Sequence, residues 1–150
     1  MPQSLSRILV HLVFSTKNRA PFLTLDIQAE VHAYLAVVLR ENDCPSLQIG
    51  GTEDHVHILF ALSRTLTVAQ VVEKLKTSSS KWLKTKGPSF ADFHWQSGYG
   101  VFSVSQSDAD AVLQYIRGQA EHHRKMSFQN EYRLFLDRYQ VDYDERYMWD

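Results

Sequence analysis

The alternation of apolar and polar residues along the chain predicts four strands and four helices. Residues 7–14 form an almost uninterrupted apolar run, which is typical of a central strand. Shorter apolar or alternating runs bounded by turn residues indicate three further strands, and apolar residues at helical spacing indicate the helices. The predicted strands are 7–14, 47–51, 54–62 and 95–105, and the predicted helices are 25–40, 67–84, 108–123 and 128–139.

The order of these elements is β-α-β-β-α-β followed by two helices. This order predicts an α+β, ferredoxin-like (RRM-like) fold, with a four-stranded antiparallel sheet and the first and third strands at its centre. Thr24 and Thr67 are predicted to cap the first two helices, and residues 107–110 resemble a capping box for the third. At 150 residues, the chain is expected to form one domain over 1–150.

Composition argues against a disulfide-bonded protein and a membrane protein, but it does not indicate whether the protein binds nucleic acid. The 16 basic and 17 acidic residues give a net charge of −1, so only the distribution of charge can indicate nucleic-acid binding. Cys44 is the sole cysteine, which rules out an internal disulfide. With no apolar leader and no apolar run of about 18 residues, we expect a cytoplasmic protein without a membrane partner.

Two histidines on the predicted third strand form the first candidate site. Side chains alternate between the two faces of a strand, so His55 and His57 share one face and Val56 and Ile58 share the other. Two neutral imidazoles at this spacing can hold one divalent ion, although a polar outer strand face explains the same pattern. His11 interrupts the first strand; it is either a supporting partner of the paired histidines or a hydrogen-bonded core residue, and we favour the core residue.

The predicted third helix presents a second candidate group. Tyr115, Gln119 and His122 lie at i, i+4 and i+7 and therefore share one stripe, although a tyrosine on such a helix often only borders the core. Phosphodiester cleavage by a side chain needs a nucleophile and a metal that withdraws charge from the phosphate. Tyr115 could supply the nucleophile. His55, His57 and the Gln119 amide oxygen form a mixed nitrogen and oxygen ligand set, which suits Mn²⁺ or Mg²⁺.

Basic residues with an interleaved aromatic side chain form a candidate DNA-binding surface. Such a surface can follow a phosphate backbone and stack bases, and its affinity should fall steeply with salt; the alternative is a solvated lysine face. The residues on or near the second helix are Lys74, Lys76, Lys81, Trp82 and Lys84. Those beside the tyrosine or after the first strand are Arg117, Arg124, Lys17 and Arg19.

Five segments spread along nearly the whole chain resemble the single-tyrosine HUH transposases of bacterial insertion sequences. They are HLVFSTKNR (11–19), HVHILF (55–60), WQSGYGVFSV (95–104), YIRGQ (115–119) and YDERYMWD (143–150). The resemblance implies a homodimer that recognises hairpins in single-stranded DNA. It implies that Tyr115 attacks the scissile phosphate, giving a 5′-phosphotyrosine and a free 3′-hydroxyl, with His55, His57 and Gln119 as ligands of Mg²⁺ or Mn²⁺. In many relatives the tyrosine helix of one protomer completes the active site formed by the histidines of its partner.

Three alternatives remain open at this point. A domesticated relative, similar to the REP-associated tyrosine transposases, would act by the same chemistry on repetitive palindromes. A non-catalytic RRM-like module that binds nucleic acid has the same element order, and residues 98–102 echo its RNP1 motif. That motif requires a basic residue where Ser97 stands, and it belongs on the third strand. A small-ligand regulatory domain of ferredoxin-like fold would have no use for Tyr115.

Overall fold

The sheet has the strand order β2-β3-β1-β4, and every neighbouring pair is antiparallel. A computed structural model describes residues 2–150. The strands are β1 (Leu9–Ser15), β2 (Ser46–Gly51), β3 (His55–Ala61) and β4 (Gly100–Val104). Because β1 and β3 lie at the centre, the predicted ferredoxin-like fold is confirmed.

Helices cover both faces of this sheet. They are α1 (Leu25–Glu41), α2 (Val68–Lys84), α3 (Ala109–Arg117), α4 (Gln119–His122) and α5 (Phe128–Arg138). Three short 3-10 helices lie at Lys17–Arg19, Pro88–Phe90 and Gln106–Asp108. Among the helices described between residues 2 and 150, none has the length and apolar character needed to cross a membrane.

The strand alternation separates an apolar face from a polar one. Phe14 on β1 and Val56, Ile58 and Phe60 on β3 are fully buried in the core formed with α1 and α2. The intervening residues of β3, which include both histidines, face α3, α4 and α5 instead. Burial of a large apolar side chain contributes about 1.5–3 kcal/mol, so this core fixes the register of β3 and thereby the direction of its histidines.

The tyrosine helix lies directly against the sheet. Ile116 of α3 is fully buried and packs with Leu9 and Leu59 of the central strands. A Cβ atom at Gly50 on β2 would overlap the carbonyl oxygen of Ile116. The absence of a side chain at position 50 therefore allows α3 to approach the sheet closely.

Two predicted boundaries differ from the structure. The third helix was expected to run unbroken over 108–123, but α3 ends at Arg117, Gly118 interrupts it, and α4 begins at Gln119. Glycine is a poor helix former, so a break at this position has a local cause. The fourth strand is shorter than the predicted 95–105, because Trp95 makes only an isolated bridge to Thr16.

Thr24 and Thr67 both occupy N-cap positions, as predicted, but only Thr67 makes a capping hydrogen bond with its side chain. Its hydroxyl accepts a hydrogen bond from the Gln70 backbone N–H at 3.1 Å, and the reciprocal bond completes a capping box. The Thr24 hydroxyl makes no such bond and donates to Asp26 instead. The capping box at 107–110 is wrong, since Asp108 accepts from Ser105 and caps no helical N–H.

Candidate functional site

Four side chains that can bind a metal converge between the sheet and the C-terminal helices. His55 and His57 extend from β3, His123 follows α4, and Glu131 comes from α5. One ligand atom of each lies within 4.8 Å of the others. Glu131 Oε1 is 2.8 Å from His57 Nε2 and 3.2 Å from His123 Nε2. Nitrogen and oxygen donors thus surround one small volume.

The Gln119 side chain joins this cluster, as its position in the sequence suggested. Its Oε1 lies 3.0 Å from both His55 Nε2 and His123 Nε2. Its amide nitrogen donates to Glu131 Oε2 at 3.2 Å. The structure therefore brings together His55, His57 and Gln119, and adds His123 and Glu131 to them.

The outward nitrogens of the two strand histidines are held by hydrogen bonds. His55 Nδ1 is 2.7 Å from Asp54 Oδ1 and 3.0 Å from the Thr52 hydroxyl. His57 Nδ1 is 2.7 Å from His11 Nε2. His11 is therefore a buried, hydrogen-bonded residue and at the same time a partner of one paired histidine, so both alternatives hold. Such outer contacts fix the orientation of an imidazole and direct its Nε2 towards a ligand.

This pattern of donors fits a divalent cation. The Nε2 of His55 and the Oε1 of Gln119 lie 3.0 Å apart, and the Nε2 of His57 and the Oε1 of Glu131 lie 2.8 Å apart, so two nitrogen and two oxygen ligand atoms face the same volume. Imidazole, amide and carboxylate donors are suitable for several divalent metals.

The Tyr115 hydroxyl lies at the edge of the same cluster. It donates a hydrogen bond to Glu131 Oε2, and the tyrosine ring centroid is 5.9 Å from that of His57. The outer face of the ring stacks on His122, with 4.5 Å between centroids. All these groups belong to one chain. Of the predicted stripe, Tyr115 and Gln119 face the cluster, and His122 covers the tyrosine.

Burial and hydrogen bonding set the protonation of these groups. Burial raises the pKa of Tyr115, and the neighbouring Glu131 carboxylate raises it further. Burial alone would also raise the pKa of Glu131, but hydrogen bonds from His123 and His57 outweigh it and hold that pKa well below its usual range. Burial lowers the pKa of His57 to about 4 and that of His11 to about 3. In the absence of a cation, the phenol is neutral and the carboxylate is ionised.

These shifts predict that the EDTA-treated protein loses stability as the pH falls below about 6.5. In that range the unfolded chain protonates His11 and His57, whereas the folded chain resists protonation down to about pH 3 and 4. His123 acts in the opposite sense, because its pKa is raised and its contribution is lost as the pH rises through that pKa. The two lowered values outweigh the raised one. We expect a net loss on the order of a few kcal/mol by pH 4.5.

Thermal unfolding midpoints measured between pH 7 and pH 4.5 test this expectation. His11→Phe removes one buried imidazole and should make the midpoint less dependent on pH, since His11 is surrounded by the rings of Phe102 and Phe135. An identical pH dependence in the variant and the unmodified chain would contradict the assignment.

Two residues of the cluster were absent from the sequence prediction. His123 lies four residues after Gln119, and its Nε2 is 3.0 Å from the Gln119 Oε1, so the i, i+4 spacing was a signal that could have found it. Glu131 carries a signal that could have been used, because it falls within the buried stripe of α5 beside Phe128, Tyr132 and Leu136. A carboxylate at such a position needs partners, since burying an unpaired charge is costly.

The predicted basic surface divides between the two faces of the sheet. Lys74, Lys81, Lys84 and Trp82 belong to α2, on the face opposite Tyr115, and Trp82 stacks on Tyr34 with 4.6 Å between centroids. Arg117 and Arg124 lie on the tyrosine side, where they contact Gln48 and Glu121. Lys17 and Arg19 follow the end of β1 that pairs with His55. These residues do not form one continuous strip.

Lys76 makes internal contacts, unlike the other lysines of α2. Its ammonium group donates to the carbonyl oxygens of Gln96 at 2.8 Å and Gly98 at 2.7 Å. Burial lowers the pKa of Lys76 to about 8. The side chain therefore holds the segment that precedes β4 in place.

Two solved structures share this fold. A candidate transposase from Deinococcus radiodurans R1 is 22% identical, with a TM-score of 0.62 over 79% of this chain and 98% of that chain. A REP-associated tyrosine transposase bound to a REP hairpin is 14% identical, with a TM-score of 0.59 over 82% of this chain and 74% of the other. At these identities, the similarity shows the fold alone. The sheet and its covering helices are thus an architecture that also occurs in transposases.

The family is shown by the sequence itself. Residues 4–119, well over half of the chain, match the model of the family described as IS200-like transposases. No curated protein matches the sequence. This chain belongs to the IS200-like transposase family. The matched region ends at Gln119, so His123 and Glu131 come from a segment that the family model does not cover.

Proposed function

We propose that this protein cleaves and rejoins single-stranded DNA at hairpin-marked element ends, through a 5′-phosphotyrosine intermediate on Tyr115. His55, His57 and Gln119 would hold Mg²⁺ or Mn²⁺, with His123 and Glu131 completing the set. One observation carries the proposal: the Tyr115 hydroxyl is hydrogen-bonded to a carboxylate of the same cluster that contains the paired histidines.

The proposed step exchanges one phosphoester bond for another. The Tyr115 oxygen attacks the scissile phosphorus, the bond to the 3′ oxygen breaks, and that oxygen takes up a proton and leaves as a 3′-hydroxyl. The phenol proton leaves along the hydrogen bond to Glu131. A bound divalent cation would offset the charge on the non-bridging phosphate oxygens. Attack by a 3′-hydroxyl on the phosphotyrosine reverses the step, so no ATP is required.

The surroundings of Tyr115 offer an approach for the phosphate. A cavity of about 160 Å³ is lined by Tyr115, Glu131, Phe135 and Arg138. The Arg138 guanidinium can attract the phosphate, and it also partly offsets the rise in the pKa of Tyr115. A phosphate in this cavity would lie beside Tyr115 and beside Glu131, which accepts the hydrogen bond of the tyrosine hydroxyl.

A homodimer belongs to the same proposal. One chain supplies one nucleophile, so cleavage at two ends of an element needs two protomers. Tyr115 lies beside His57 of its own chain, with their ring centroids 5.9 Å apart. A dimer of this conformation would carry two sites, each assembled from a single chain.

The proposal is tested with a panel of labelled single-stranded palindromes, incubated with the protein and Mn²⁺ and separated on a denaturing gel. We expect label to remain attached to the protein for at least one hairpin, and EDTA to remove this product. If a broad panel gives no covalent product while the folded protein binds Mn²⁺, the proposed reaction is wrong.

A domesticated relative acting on repetitive palindromes is the second candidate. It is favoured by the fold shared with a REP-associated tyrosine transposase that was solved with a REP hairpin. Including repetitive palindromes and element-end hairpins in the same panel separates the two substrates. The RRM-like alternative is disfavoured, because the sheet face is covered by the C-terminal helices and Phe102 of β4 is buried beneath Phe135 and Tyr139.

Hairpin binding is expected to weaken steeply with salt. For about six phosphate contacts, affinity should fall roughly a thousandfold between about 50 mM and 200 mM salt, because bound counterions are released. Fluorescence anisotropy of a labelled hairpin measures this dependence. The triple change of Lys74, Lys81 and Lys84 to Gln is compared with the double change of Lys17 and Arg19 to Gln. If a set contacts the DNA, its replacement should make affinity less dependent on salt. An unchanged salt dependence excludes that set as a DNA contact.

A further inference from the structure

A second cavity, of about 350 Å³, opens between α3 and α5 above the edge strand β4. It shares the side chains of Tyr115, Phe135 and Arg138 with the small cavity that reaches Glu131. The two cavities are therefore neighbours on either side of the same three side chains. A group held in the larger one would lie next to a phosphate at Tyr115.

Four aromatic rings contribute to the walls of the larger cavity, beside aliphatic and polar side chains. Tyr115, Phe135 and Tyr139 line it, and the buried ring of His11 lies at its base, 5.0 Å from the Phe135 ring and nearly perpendicular to it. Tyr139 is itself held by stacking on Phe102, with 4.8 Å between centroids. Flat, rigid rings around a space of this size are suited to a planar aromatic ligand.

The charged groups at the cavity also indicate the class of ligand. Two charged side chains line the cavity: Asp108, whose carboxylate accepts a hydrogen bond from Ser105, and Arg138. Arg138 is exposed and lines both cavities, so its guanidinium can contact a phosphate on the side of Tyr115. Ala111 and Ser103 lie on the walls and are exposed, which leaves the cavity open to solvent. A planar ring system attached to a phosphate describes a nucleotide. Aromatic side chains stack on any base, so this binding would tolerate different sequences.

We propose that this cavity holds the base of an unpaired nucleotide adjacent to the scissile phosphate. The inference rests on the proposed cleavage of single-stranded DNA and adds a base-binding site to it. Stacking of the base would place the adjoining phosphate at the Tyr115 hydroxyl, and fixing the reacting groups in this way accelerates a reaction. The base would occupy the cavity whether or not cleavage follows.

Binding is tested directly by two-dimensional NMR with a deoxyadenosine dinucleotide and with the same phosphate backbone lacking both bases. We expect the normal dinucleotide to shift the backbone signals of Ser103, Ala111 and Tyr139, and the abasic one to leave them unchanged. Ala111→Trp fills the cavity and should weaken dinucleotide binding about tenfold or more. Ala29→Trp is the matched control, because Ala29 is an exposed alanine of α1 on the opposite face.

The covalent assay separates this inference from the proposed function. With a hairpin that the unmodified chain cleaves, an abasic nucleotide on one side of the scissile phosphate should slow adduct formation about tenfold, and Ala111→Trp should do the same. If adducts form and neither change alters the rate or the NMR shifts, the base-binding inference is wrong and the proposed function stands. If no hairpin is cleaved but the dinucleotide shifts appear only with bases, the cavity binds bases and the proposed reaction is wrong.

Discussion

Tyr115→Phe is expected to abolish covalent attachment of the protein to single-stranded hairpin DNA. The change removes one oxygen atom, the proposed nucleophile, and leaves the ring that packs against His57 and His122. Removing a nucleophile lowers turnover by at least about a thousandfold. The denaturing gel that detects the adduct measures this loss, and anisotropy of the labelled hairpin should show affinity within about threefold of the unmodified chain.

Tyr132→Phe is the control for this experiment. It removes the hydroxyl of another buried tyrosine, also on the side of the sheet that carries the cluster, where Tyr132 packs against Gly100 and Trp149. We expect this variant to form adducts normally. An adduct that persists in Tyr115→Phe would assign the nucleophile to a different residue and overturn the proposed function.

Glu131→Gln is expected to lower the affinity for Mn²⁺ by about a hundredfold or more. Even changes to residues that only support the ligands of a metal cost 10–100-fold in affinity, and Glu131 is a ligand candidate that contacts His57 and His123. The glutamine side chain retains an oxygen that can accept from Tyr115 but has no charge to offset that of a cation. The protein is titrated with Mn²⁺ while electron paramagnetic resonance detects the free ion. This measures the affinity for Mn²⁺ independently of DNA cleavage.

Glu121→Gln provides the matched comparison, because Glu121 is an exposed glutamate that pairs only with the neighbouring Arg124 at 3.3 Å. Its removal should leave Mn²⁺ binding unchanged. Equal Mn²⁺ affinity in Glu131→Gln and the unmodified chain would show that the carboxylate is not a ligand. The cluster would then be limited to the histidines and Gln119.

The contact between Tyr115 and Glu131 gives a bound cation a second role in the proposed reaction. The carboxylate that accepts from Tyr115 raises the pKa of the phenol, which disfavours the nucleophilic phenolate. A cation bound by Glu131 would reduce that effect, because the charge of the carboxylate would be shared with the metal. In the proposed reaction, binding of the metal and activation of Tyr115 would therefore be coupled through Glu131.

The sequence by itself determined the central part of the molecule. The period-two alternation of β3 placed His55 and His57 on one face, because the apolar residues between them could only face the core of α1 and α2. The i, i+4 spacing was enough to direct Tyr115 and Gln119 to the same site. These inferences depend on local geometry alone, and local geometry follows from the sequence.

Only the tertiary structure decided which other residues reach the site. Glu131 enters because α5 packs over the central strands, and there it contacts both His57 and His123. The same packing joins His11 to His57, while the sheet separates the lysines of α2 from Tyr115. Each of these outcomes depends on contacts between residues distant in sequence. The spacing of residues along the chain does not indicate which helix will cover which face of the sheet. The tertiary structure was therefore needed to complete the site.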